Sequence, residues 1–145
     1  MGDLKALSAA ATEAFNAHDE EGIRSSYADD AVFTGPGGVG LQGADAIVGY
    51  AMSWLNAFPD ARTEVHTEVI GEDWVAQRFT FTGTHTETLA GPDGDVPATG
   101  KSLSGRGAEL IRFRDGKIVE DHLYYDQMDV LTQLGLVPEG ATATA

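Results

Sequence analysis

Two runs of alternating apolar residues meet at Asp115-Gly116, and no other feature restricts this chain as much. Asp-Gly between such runs is a strong short-range hairpin signal, because the favoured two-residue turn needs positive φ at both positions. The stretch 109–134, ELIRFRDGKIVEDHLYYDQMDVLTQL, is therefore predicted as strand, turn, strand and helix. The two strands carry Glu109 and Asp121 on neighbouring positions. A carboxylate pair within a sheet is costly unless it is paired or neutralised. After Tyr125 the period changes: Asp126 can cap a helix, Asp129 lies near its positive end, and Met128, Leu131 and Leu134 follow at helical spacing.

The rest of the chain reads outward from that hairpin. Residues 3–18 are predicted as an amphipathic helix with Leu4, Leu7, Ala11, Ala14 and Phe15 on one face, and 20–27 as a short helix capped by Asp19. Asp29-Asp30 is expected to turn, 31–34 to form a short strand, and the glycines at 35–38 to end it. Residues 43–58 read as a third helix, closed by Pro59, with Ile47, Tyr50, Trp54 and Leu55 on its inner face. Strands are expected at 62–69, 74–85, 101–114 and 117–125. In the first of these, Thr63, Val65, Thr67 and Val69 alternate with the charged side. Residues 86–100 carry Gly, Pro and Asp without periodicity, the mark of a lid or binding loop. Residues 138–145 are small and polar and are expected to fray. Helices gathered on one side of a curved antiparallel sheet make a single α+β domain over 1–137, a half-cone with a pocket between the layers.

Charge and composition narrow the function. Twenty-three acidic against nine basic residues, a net charge of −14, argue against nucleic-acid binding and against anionic membrane surfaces. With no cysteine, disulfides and thiolate metal sites are excluded, and the four histidines lack metal-ligand spacing. No metal or cofactor is expected. The N-terminus lacks a basic start followed by a long apolar run, and no apolar run approaches a membrane span, so a cytoplasmic protein is the default expectation.

The segments GTHT at 83–86, PATG at 97–100, RFRDGKIVE at 112–120, YYDQ at 124–127 and QLG at 133–135 carry a resemblance. With them the chain resembles the SnoaL-like polyketide cyclases, of the nuclear-transport-factor-2-like superfamily, from about residue 4 to 137. That resemblance implies a cone fold, a ligand pocket and, commonly, a homodimer. The superfamily hosts cyclases, isomerases, dehydratases, epoxide hydrolases and non-catalytic binders. The resemblance places Thr34, Arg78, Thr80, Gly107, Glu109 and Asp121 at pocket-lining positions, with Glu109 and Asp121 where cyclases have histidines. Arg78 falls where the epoxide hydrolases keep an arginine between two carboxylates. The aspartate that cyclases carry on the last strand falls on Leu123.

The expected site is therefore Glu109, Asp121 and Arg78 as catalytic groups, with Thr34, Phe33, Tyr50, Trp54, Thr80, His85, Leu123 and Tyr125 around the substrate. Two carboxyls sharing a buried site raise at least one pKa, which suits a general acid and base; an adjacent guanidinium opposes this. The plainer possibility is an ion-pair network that only joins strands. His85 is placed either at the pocket mouth or exposed at a strand end; His18 and His66 are placed on the surface. Phe79, Phe81, Leu110, His122 and Tyr124 are assigned to the outer sheet face, an apolar surface suited to a homodimer. Two functions stay open. One is a cofactor-independent enzyme performing cyclisation, isomerisation or epoxide hydrolysis on a small apolar oxygenated substrate. The other is a binding protein that has lost the aspartate at 123.

Overall fold

The structure, a computed structural model, describes residues 3–91 and 94–137; the expectation for 138–145 lies outside them. Helices α1 (Leu4–Asn16) and α2 (Glu20–Ser26) lead into β1 (Tyr27–Gly35) and β2 (Val39–Gln42), then α3 (Ala44–Ala57). Strands β3 (Arg62–Ile70), β4 (Trp74–Thr84), β5 (Ser102–Arg114) and β6 (Lys117–Tyr125) follow, and α4 (Gln127–Gln133) closes the chain. Asp3, Asp19 and Asp126 cap α1, α2 and α4, each accepting a main-chain N–H from the first turn. Short polar side chains favour such positions because they satisfy donors the helix leaves unpaired.

The six strands form one curved, unclosed sheet in the order β2-β1-β6-β5-β4-β3. The turn between β5 and β6 is the expected one, with φ of 54° at Asp115 and 78° at Gly116. Asp29 and Asp30 do not turn; they lie inside β1, which pairs in parallel with β6. Strand β2 follows the glycines and pairs back on β1. That partnership is made in three dimensions; Val39 and Leu41 alternate with Gly40 and Gln42, but over four residues beside a glycine-rich loop the pattern is too short to announce a strand.

In two strands the facing differs from the sequence expectation. A bulge between Val65 and Thr67 shifts the β3 register, so Glu68 joins the inner side and Val69 is 63% exposed. One extra residue in a strand exchanges the faces beyond it. In β4 the inner residues are Val75, Gln77, Phe79 and Phe81, so Phe79 and Phe81 leave the outer face assigned to them. Burying two phenyl rings is worth about 1.5–3 kcal/mol each, which no outward placement recovers.

The core lies between sheet and helices. Val48 and Leu55 of α3 pack with Leu103, Val130 and Leu134; Leu4, Leu7 and Ala11 of α1 cover Val75, Ile111, Phe113 and Ile118. Gly107 is required where it stands, since a Cβ there would lie 2.6 Å from the Phe79 ring and 2.9 Å from the Tyr124 carbonyl oxygen. No helix among the described residues is long and apolar enough to cross a membrane.

Candidate functional site

Strands β4, β5 and β6 supply the floor of a cavity, and α1, α3 and α4 its walls and roof. Its volume is about 170 Å³. A single water needs only about 10–15 Å³, so this is a chamber and no packing defect. Phe33, Tyr50, Trp54, Phe81, Leu123 and Tyr125 line it. Trp54 meets Phe81 and Tyr125 edge to face, at centroid distances of 6.0 and 6.1 Å. Burial and the Tyr50 hydroxyl hold the Tyr125 phenol above its ordinary pKa, so it stays a neutral donor.

Two carboxyls interrupt this apolar surface. In the β5–β6 register Glu109 pairs with Leu123, and Ile111 with Asp121. Glu109 and Asp121 are thus diagonal neighbours on the inner face, both lining the cavity. Asp121 is 1% exposed. Its Oδ2 accepts a 2.6 Å hydrogen bond from the Tyr27 hydroxyl, while its Oδ1 has no partner among the described residues. Burial raises the Asp121 pKa well above the carboxylate range, and the charge and contact of Glu109 push the same way; Tyr27 opposes them. Desolvation and the like charge of Glu109 thus both favour the protonated form of Asp121.

Glu109 is held from the other side. Its Oε1 accepts from Gln77 Nε2 at 3.3 Å, and Gln77 Oε1 accepts from the buried Ser8 hydroxyl at 3.3 Å. Ser8 also lies 3.1 Å from Glu68, which the β3 bulge turns inward. The group beside Glu109 on β4 is therefore a neutral amide.

Arg78 is elsewhere: it is exposed on the outer face, donating to Thr67 at 3.2 Å. The expected arginine between two carboxylates is absent, because β4 turns Gln77 and Phe79 inward and Arg78 outward. Thr80 is turned outward by the same parity and meets His66 at 2.7 Å. Thr34 stands on the outer face too, 2.7 Å from His122, since Phe33 takes the inner position beside it. His85 is at neither expected place. It is fully buried, stacked on Phe58 at 5.1 Å, and its Nδ1 accepts the Thr99 N–H. Burial lowers its pKa, and it ties together the two ends of loop 86–100 outside the cavity lining.

Tyr27, Gln77 and Ser8 are absent from the sequence-based site. Gln77 did carry a signal, as a lone polar residue alternating with Val75, Phe79 and Phe81; Ser8 carried one beside Leu4, Leu7 and Ala11. Tyr27 carried none, because it reaches Asp121 across 94 residues through the parallel β1–β6 pairing.

A curved, unclosed sheet covered by helices, with an acid pair at the floor of an apolar chamber, sets the class of fold to which the chain belongs. Within it, the chain belongs to the SnoaL-like polyketide cyclase family, whose profile matches residues 5–134. It is 36% identical over 108 residues to aklanonic acid methyl ester cyclase DauD of Streptomyces sp. (strain C5). That match covers 69% of this chain and 62% of the relative, so the chain spans less than two thirds of that protein's length. Among solved structures it is similar to AclR of Streptomyces galilaeus, described as a proposed hydroxylase. The identity is 32% and the TM-score 0.78, covering 93% of this chain and 86% of that one. IdmH of Streptomyces antibioticus, described as a proposed polyketide cyclase, is 31% identical with a TM-score of 0.77 over 92% and 99% of the two chains.

Proposed function

We propose that this protein is a cofactor-independent cyclase, closing a ring by intramolecular aldol chemistry on an apolar, oxygenated polyketide-type substrate. The observation that carries this reading is the fully buried Asp121 beside Glu109 at the base of an aromatic-lined chamber. The carboxylate of Glu109 takes a proton from a carbon flanked by carbonyls. That carbon attacks a ketone carbon of the same molecule; a carbon–carbon bond forms and the carbonyl π pair moves to oxygen. Asp121, held protonated by burial and by Glu109, gives its proton to that oxygen. Return of the proton from Glu109 to Asp121 resets the pair, and the product has the mass of the substrate. Trp54, Phe81 and Tyr125 suit a flat apolar skeleton and keep water from the carbanion.

Leu123 favours a second reading. It lines the cavity at the position where the resemblance puts the cyclases' aspartate, which suits a non-catalytic binder. The two separate in one experiment. The protein is incubated with aklanonic acid methyl ester, the compound in DauD's name, and products are followed by chromatography and mass spectrometry. An isomeric product is expected, with Glu109→Gln and Asp121→Asn each lowering the rate by roughly 10²–10⁴-fold while binding holds. A product heavier by one oxygen atom would instead match the description of AclR. Binding without turnover establishes the binder.

A further inference from the structure

The proposed acid is not left free to turn. Tyr27 opens β1 directly after α2, and its side chain lies against the inner face of β6. The 2.6 Å contact puts its hydroxyl on Asp121 Oδ2, and Oδ1 is buried with no hydrogen-bond donor on it among the described residues. The other ionisable group acting on Asp121 is Glu109, from β5. On Asp121's own strand, Glu120 and His122 bond each other on the opposite face. Helices α1 and α2 present apolar Leu4, Leu7 and Ile23 to this region. Burial and the Asp121 charge keep the Tyr27 phenol far above its ordinary pKa, so the hydroxyl remains a donor.

Resting on the reading of Asp121 as the acid, we infer that Tyr27 is its positioning residue: it occupies Oδ2, so the carboxyl proton is carried on Oδ1. A carboxyl pinned at one oxygen has one orientation and one protonation site. An unpinned one divides between two oxygens and loses the alignment on which proton transfer depends. The same bond sets acid strength. Donation from Tyr27 favours the ionised form and offsets part of the upward push of burial and Glu109. Without it Asp121 is a weaker acid as well as a looser one.

The test is a titration of the ligand-free protein, carboxyl-labelled with ¹³C at aspartate, with Asp121→Asn to assign the resonance. In Tyr27→Phe the Asp121 step should move up by about one pH unit, the size of a lost hydrogen bond to a carboxylate. 3-Fluorotyrosine at 27 keeps the fold and makes the phenol a stronger donor, so it should move the step down, and it serves even where Tyr27→Phe does not fold. A step that stays in place in both proteins overturns the inference. In turnover, Tyr27→Phe should lower kcat by roughly 10–100-fold with KM little changed, and should cost nothing further when Asp121 is already Asn. Failure of the cyclisation assay sinks the proposed function, and the titration still decides the role of Tyr27.

Discussion

Asp121 ties stability to pH with an unusual sign. Its folded-state pKa lies well above the unfolded value, so the native state binds the proton more tightly. The stability it contributes is whole below the unfolded pKa of about 3.9 and is lost as pH rises towards the folded pKa. Over that window the loss is at most about 1.4 kcal/mol per pH unit. Asp121→Asn keeps a Tyr27 acceptor and has no charge to bury. The variant should therefore melt higher than the parent at pH 8 and converge with it near pH 4. Thermal scans of both proteins across that range check this; a variant that melts lower at pH 8 contradicts the buried, protonated acid. Gaining stability by removing a group is expected where a site is built for chemistry.

The β5–β6 hairpin is the element that makes the site. Its two-residue turn starts the pairing, and a one-residue register shift between Arg112 and Phe113 then places Glu109 and Asp121 on one diagonal. Gly107 shows how closely β4 packs against it. In Gly107→Ala the new methyl must displace the Phe79 ring or the Tyr124 main chain. Overpacking of this kind costs about 1–3 kcal/mol, so the melting temperature should fall by several degrees and ligand affinity with it, since Phe79 lines the cavity. An unchanged melting point in differential scanning calorimetry means that the ring yields freely. The β3 bulge works in the opposite sense, as an irregularity that delivers Glu68 to Ser8.

For the whole molecule, the outer sheet face is the surface left uncovered. Leu110 and Tyr124 are 42% and 56% exposed there, and Arg78, Thr80 and His122 stand around them. Apolar residues gathered on one face commonly mark an interface. This face also holds Arg78 and Arg106 with Glu64, so a second copy can set opposite charges together in a chain whose net charge is −14. We propose a homodimer through it, resting on Leu110 and Tyr124 now that Phe79 and Phe81 are inside. Sedimentation at micromolar concentration should show a dimer that Leu110→Arg dissociates; a monomeric parent refutes it.

The expectation that Glu109, Asp121 and Leu123 share one cavity rests on the resemblance; the hairpin, the helix caps at Asp19 and Asp126 and the apolar faces of α1 and α3 were legible along the chain. Each rests on local chemistry: a positive φ, an unpaired N–H, a repeat of 2 or 3.6 residues. The inward side of β4 is legible too, in the alternation of Val75, Gln77, Phe79 and Phe81, which leaves Arg78 outside. Tertiary structure alone decided the rest. A bulge changes facing with one residue and leaves no mark in composition. Tyr27 meets Asp121 because β1 and β6 run parallel, and His85 is buried because Phe58 stacks on it and Thr99, Gly100 and Lys101 bond to it. Those contacts join residues far apart in sequence, and their energy exists only once the sheet has brought them together.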